Sequence, residues 1–151
     1  MNKRSVLVTG ASKGIGRAIA LRLAADGFCV VVHYHSDKQG AEETLGLITA
    51  SQGSGRTIGF DISDRQVCRS RLELDIEQHC AYYGVVSNAG ITRDGAFPAL
   101  DDDAWDSVIH TNLDSFYNVI HPCVMPMIGL RQGGHHYTVF RFRDHGEPWT
   151  G

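Results

Sequence analysis

Residues 10–16 read Gly-Ala-Ser-Lys-Gly-Ile-Gly and stand between a short β-branched run and a helical pattern. A strand that turns through glycines straight into a helix opens a βαβ unit, which commits the chain to a parallel sheet with helices packed on it. The same arrangement carries a chemistry, because backbone N–H groups in such a loop can cradle a pyrophosphate at the positive end of the helix. In this reading Gly10 permits the turn, Gly14 lets the ligand approach and Gly16 lets helix and strand pack closely. A glycine turn that serves structure alone is the plain alternative.

The alternation of strand and helix continues. Residues 5–8 form the first strand; Ala18, Ile19, Leu21, Leu23 and Ala24 give the next helix its apolar residues, and Gly27 stops it. Residues 29–34 contain Val30, Val31 and Val32, apolar on both faces, as in an interior strand of a covered parallel sheet. A second helix is predicted over 39–51, a third strand over 58–60 ending at Asp61, and a third helix over 64–80. Asp64 stands at the start of that helix, where the dipole favours a carboxylate. The fourth strand is predicted over 83–87, followed by a loop over 88–100. Asp101, Asp102 and Asp103 then cap a long helical stretch carrying Trp105, Val108, Ile109, Leu113, Phe116 and Val119, which Pro122 and Pro126 kink or end. The predicted class is α/β, a Rossmann-like doubly wound parallel sheet that is incomplete. The expected strand order is 3-2-1-4 with a possible fifth strand, and a cofactor crevice at the carboxyl ends of strands one and four.

Composition narrows the partners. The chain has 151 residues, 42% of them hydrophobic, which fits one globular domain with a core. Fourteen Lys and Arg against seventeen Asp and Glu give a net charge of -3, so nucleic acid is not the expected ligand. No apolar run approaches the roughly 18 residues of a membrane span, and residues 1–4 lead into a strand rather than a signal-peptide core. A cytoplasmic protein without membrane contact is expected. Cys29, Cys68, Cys80 and Cys123 form no C-x-x-C pair and read as free thiols. His33 and His35 read as a strand pair at i, i+2 that merely points one way, and no metal site is expected.

The glycine loop does not stand alone. Residues 9–16, Thr-Gly-Ala-Ser-Lys-Gly-Ile-Gly, with Asn88-Ala89-Gly90 at the end of the fourth strand, resemble the short-chain dehydrogenase/reductase family, which carries TGxxxGIG and NNAG at these places. Gly90-Ile91-Thr92-Arg93-Asp94 and Asn112-Leu113 are similar, within that family, to 3-oxoacyl-(acyl-carrier-protein) reductases of fatty acid synthesis. The resemblance runs from about Val6 to Gly134 and departs at Ser87, where the family has the first Asn of its NNAG motif; that change is expected to loosen the hydrogen bonding around the fourth strand without removing the loop. It implies pyrophosphate binding by Gly10, Ser12, Gly14, Ile15 and Gly16. It further implies adenine recognition by Asp61 with Ile62, an adenosine and ribose wall from Asn88, Ala89 and Gly90, and in Asn112 the asparagine of the family's Asn-Ser-Tyr-Lys tetrad. An NAD site places an acid at the end of the second strand to accept from the ribose 2′-OH, and here Tyr34 stands there. Lys13 offers a cation for a 2′-phosphate, so NADP(H) is the expected cofactor.

The rest of the tetrad is not where the family keeps it. Tyr82, Tyr83, Tyr117 and Tyr137 lack a lysine four positions on, whereas Tyr34 has Lys38 but lies on the ribose side, a coincidence of spacing. The expected organisation is therefore a partial NADP-binding domain over 1–134 and an aberrant tail over 135–151, where Tyr137, Val139, Phe140 and Phe142 have the β propensity of a substitute fifth strand. Codons compatible with 135–151, read one nucleotide later, permit IITLSSVSGIMGNRGQ, the kind of segment the family carries there with its serine. The tail is thus expected to arise from a frameshift near Gly134, as a truncated product or a misread frame. The resemblance implies NADPH-dependent reduction of a 3-oxoacyl thioester on acyl carrier protein by a homotetramer built on the long helix around 105–124 and on a second interface helix that is expected to be missing here. The chain itself is expected to hold the cofactor half with little or no activity. A non-catalytic NADP-binding module and a non-functional truncated product are the alternatives.

Overall fold

The structure, a computed structural model, describes residues 4–89, 101–130 and 137–140. Its elements in chain order are β1 (Ser5–Val8), α1 (Gly14–Ala25), β2 (Cys29–Tyr34), α2 (Lys38–Ala50), β3 (Ser54–Gly59), α3 (Arg65–His79) and β4 (Gly84–Ser87). After these come α4 (Asp102–Ile109), a π-helical turn at His110–Asp114, α5 (Ser115–Gly129) and β5 (Tyr137–Phe140). The strands form one sheet of order β3-β2-β1-β4-β5, parallel at every junction. This is the expected doubly wound order, with the fifth strand present.

Period-two alternation divides the core between the two faces of the sheet. Val6, Val8, Val30, Val32 and Val86 turn to one side, against Ala20 and Ala24 of α1 and Ala41 and Ile48 of α2. Leu7, Val31 and Val85 turn to the other, against Cys68 and Leu72 of α3 and Val119, Cys123 and Met127 of α5. Burial on both faces is why the valine run of β2 shows no polar alternation. Cys68 and Cys123 are buried free thiols, Cys29 is half-buried and Cys80 is exposed.

Three local expectations are corrected. β3 begins at Ser54, four residues before the predicted start, and Phe60 lies beyond its end. Its residues Ser-Gly-Arg-Thr are not apolar, and it is the register with β2 from Cys29↔Ser54 to Tyr34↔Gly59 that makes them a strand. The long helix is interrupted by the π turn, and α5 passes through both Pro122 and Pro126 to Gly129 instead of ending at them. Four apolar buried positions, Val119, Ile120, Cys123 and Met127, hold that helix down across the hydrogen bonds the prolines omit. Among the described residues no helix is long and apolar enough to cross a membrane.

Candidate functional site

At the carboxyl ends of β1, β2, β3 and β4 the chain opens a crevice of about 510 Å³. One wall is the glycine loop. α1 starts at Gly14 with Lys13 extended before it and no side chain capping its first amides, whereas Asp37, Asp64 and Asp101 accept from first-turn amides of α2, α3 and α4. The positive end of α1 is thus left for an anion.

The peptide planes of the loop are set from behind. Thr44 Oγ1 on α2 donates to the Ala11 carbonyl at 2.9 Å, and Arg17 Nη2 donates to the Ser12 carbonyl at 2.5 Å. In a trans peptide the next N–H points opposite to the carbonyl, so the Ser12 and Lys13 amides are turned away from α2. Arg17 also donates through Nε to Thr44 Oγ1 at 2.9 Å and through Nη2 to the Gly40 carbonyl at 3.1 Å, which joins the clamp into one unit. Gly16 is required by proximity: a Cβ there would collide with the Gly10 carbonyl and lie 2.6 Å from Asn88 Nδ2. Gly14 has φ +58° and open space where a Cβ would stand.

Asn88 and Thr9 sew β1 to β4 at the floor. The Thr9 hydroxyl accepts from the amides of Asn88 (2.9 Å) and Ala89 (3.0 Å), and Asn88 Nδ2 donates to the carbonyls of Thr9 and Gly10, both at 3.2 Å. These bonds are all present with Ser87 at the variant position. Asn88 holds the turn more than it offers itself to a ligand.

Opposite lies the end of β2. Tyr34, His35, Ser36 and Asp37 border the crevice, and the Tyr34 ring covers Gly59. Asp37 is engaged as the α2 cap, accepting from Gly40 N at 3.0 Å. Asp61 Oδ1 accepts from the Ser63 amide (2.9 Å) and hydroxyl (2.7 Å), and Oδ2 stands 3.7 Å from His35 Nε2. Burial would push this carboxyl up, but the Ser63 donors and the neighbouring histidines hold it below the usual carboxylate range.

Of the residues singled out in the sequence, Gly10, Ser12, Lys13, Ile15 and Gly16 border the crevice on the loop side, and Tyr34, Asp61, Ile62, Asn88 and Ala89 on the others. Gly14 opens α1 without bordering it, and Gly90 lies outside the described residues. Asn112 is in the π-helical turn His110–Asp114, away from the crevice lining. Such turns are an irregularity frequent at functional sites. Lys38 does not meet Tyr34 as a pair: its ammonium lies 3.6 Å from Glu42.

Sequence reasoning missed four contributors. Thr9 opens the TGxxxGIG motif but is given no role of its own there, whereas Arg17 and Thr44 act through main-chain carbonyls that no motif spacing announces. The fourth is His33, which is 1% exposed and therefore a core residue, not an idle member of a histidine pair. A histidine directly after the three valines of an interior strand was the available signal.

Comparison with known proteins follows this geometry. The short chain dehydrogenase family model matches residues 4–135. A 3-oxoacyl-(acyl-carrier-protein) reductase of Aggregatibacter actinomycetemcomitans is 52% identical over 130 residues, 86% of this chain and 54% of that protein. The proteins of that name from Staphylococcus aureus and Pseudomonas aeruginosa are 37% and 39% identical, covering 86% and 84% of this chain and 53% and 51% of their own. The chain therefore spans about half the length of the curated relatives it matches. A crystal structure of a short chain dehydrogenase from Mycobacterium avium superposes with a TM-score of 0.77 at 30% identity, over 84% of this chain and 48% of that one.

Proposed function

This chain belongs to the short-chain dehydrogenase family, and from that premise we propose that its crevice is an NADP(H) site, the nucleotide half of a 3-oxoacyl-(acyl-carrier-protein) reductase. The observation that carries the reading is the uncapped start of α1 behind a loop whose Ser12 and Lys13 amides are turned away from the Thr44–Arg17 clamp. Those amides, with Ile15 and Gly16, would hold the pyrophosphate. Asp61, Ile62, Asn88 and Ala89, with Gly90, would form the adenosine side.

The 2′-phosphate is favoured over a free 2′-hydroxyl on charge. Tyr34 replaces the acid at the end of β2, Lys13 and His35 are cations or potential cations on the crevice wall, and Asp37 is occupied as a helix cap. When bound, the dinucleotide supplies the hydride for a 3-oxoacyl thioester; what this chain supplies is its binding and orientation. Asn112 is the member of the proton relay assigned to these residues, and no tyrosine and lysine here form the donor pair. Residues 1–134 are read as the nucleotide unit and 135–151 as the product of a shifted frame, which coding DNA from the Gln132 codon onward tests. The exposed apolar residues Tyr117, Met125 and Ile128 support self-association along α5.

The test is titration of the 151-residue chain with NADPH and NADH, followed by acetoacetyl thioester. NADPH is expected to bind several-fold tighter than NADH, Lys13→Ala to narrow the difference, and NADPH oxidation to stay at background. Preference for NADH overturns the cofactor assignment, and turnover near that of a complete reductase overturns the missing donor. NADPH binding with a cooperative melting transition favours a binding module over a damaged product.

A further inference from the structure

His33, the next-to-last residue of β2, has both ring nitrogens and its carbonyl in use. Its Nε2 lies 2.9 Å from the Phe60 carbonyl oxygen, which can only accept, so Nε2 carries the proton. Its Nδ1 lies 3.1 Å from the Gly10 amide, which can only donate, so Nδ1 carries none. The His33 carbonyl accepts from the Ala11 amide at 2.9 Å. One residue therefore takes up the first two amides of the glycine loop with its ring and its main chain, and it reaches across β2 to the residue before Asp61. The ring is 1% exposed and lies 4.4 Å from that of Phe60, centroid to centroid.

We propose that His33 is a positioning residue of the crevice, whose uncharged Nε2–H tautomer ties the turn at Gly10 to the end of β3. This fixes the loop's remaining amides toward the anion and Asp61 at the adenine edge as one unit. The inference rests on the reading of the crevice as a dinucleotide site. With Gly10 and Ala11 bound to His33, and the carbonyls of Ala11 and Ser12 bound to α2, the loop is held from both sides in the shape it presents. A proton on Nδ1 would set two N–H groups against each other and put a charge in a buried site. The titratable groups acting on the ring are His35, just past β2, which opposes a charge there, and Asp61, past β3, which favours one; the glycine loop faces it with the Gly10 amide. Burial dominates and lowers the imidazole to about 4, so it stays neutral across the physiological range.

The test compares the whole chain with His33→Asn, which keeps an uncharged acceptor and donor, and His33→Leu, which fills space with neither. Ring nitrogen NMR of the wild type is expected to show Nε2–H with Nδ1 unprotonated, unchanged down to pH 5. The Gly10 amide is expected to be protected from exchange in the wild type and in His33→Asn and exposed in His33→Leu. NADPH affinity is expected to fall at least about tenfold in His33→Leu, the loss of one net hydrogen bond, and to recover to within about threefold in His33→Asn. An Nδ1–H tautomer, an Asn variant no better than Leu, or equal Gly10 protection in all three overturns the proposal. If the wild type binds neither NADPH nor NADH, the dinucleotide reading falls. The positioning role is then decided by the ring tautomer and Gly10 exchange alone, which are read without ligand and remain readable should His33→Leu fail to fold.

Discussion

Gly14 and Gly16 differ in function although only Ile15 separates them. A side chain at Gly16 meets the Gly10 carbonyl and Asn88 Nδ2, neither of which can move without opening the junction of β1 and β4. Gly16→Ala is therefore expected to lose several kcal/mol, on the order of 3, and to melt well below the wild type. Gly14→Ala strains a backbone at φ +58° but meets no atom within 4 Å, so its stability is expected to fall by only about 1–2 kcal/mol. Thermal melts with and without NADPH separate the cases: Gly14→Ala should keep its fold and bind NADPH a few-fold more weakly, because the strain falls on the residue that opens α1 and sets its first amides. His33 adds a dependence on pH with a definite sign. Unfolded, its imidazole ionises near 6.5; folded, at about 4. Between these values the unfolded chain holds the extra proton, so stability declines as pH falls across that window, by roughly 3 kcal/mol in all. Asp75, held low by Arg56 and Tyr82 against the opposing effect of burial, acts further down: its stabilisation is lost as pH drops below the ordinary carboxylate range. Urea midpoints at pH 7.5 and pH 5 should fall more for the wild type than for His33→Asn. Equal falls would mean that another group titrates there. Residues of this kind are not legible from spacing, because His33 owes its role to partners at positions 10 and 60, whereas Gly16 is legible since the loop repeats a local geometry.

At the scale of elements, legibility follows how local the cause is. β1, β2 and β4 could be read because valine-rich runs need burial on two faces wherever they fall, and α3 and α4 because an aspartate stands at each start. β3 was only partly visible, since Arg56 and Thr57 are held by pairing with β2 and Arg56 by its two bonds to Asp75, at 2.9 and 2.6 Å. The π turn could not be seen at all, because an added residue in a helix changes its phase and not its composition. α5 shows a further consequence of tertiary support. Its inner face carries Val119, Cys123 and Met127, and Asn118 donates to the Ile62 carbonyl at 3.0 Å, which fastens the helix to the loop before α3. Its outer face leaves Tyr117 46%, Met125 73% and Ile128 58% exposed. Apolar side chains spaced along one helix are a surface that associates. Met125→Glu with Ile128→Glu is expected to shift the chain to a smaller species in sedimentation while leaving the melting temperature of that species within a few degrees. An unchanged sedimentation coefficient would remove α5 as the contact.

The whole molecule divides its labour along the sheet. Every described residue that borders the crevice lies between Gly10 and Ala89, at the carboxyl ends of β1, β2, β3 and β4, in the loops that follow them or in the first turn of α1. β5 pairs with β4 alone, from Gly84↔Tyr137 to Ser87↔Phe140, at the far side from the glycine loop and β2. Stability and binding should therefore respond differently to loss of the last seventeen residues, 135–151. Removing β5 bares the N–H and C=O groups of β4, whose Val85 and Val86 are buried, and an apolar strand edge of that kind pairs with other copies. A chain ending at Gly134 is expected to scatter light and aggregate at concentrations where the full chain stays clear. At low concentration it should bind NADPH within about threefold of the full chain, because the Thr44–Arg17 clamp, the His33 tie and the Thr9–Asn88 stitching are all intact. NADPH at a hundred times its dissociation constant should then raise stability by about 2.7 kcal/mol in both chains, since that gain depends on ligand excess and not on the starting stability. A shortened chain that stays soluble but gains nothing from NADPH would show that the crevice draws on the tail, and the division between a nucleotide-binding unit and an edge strand would have to be redrawn.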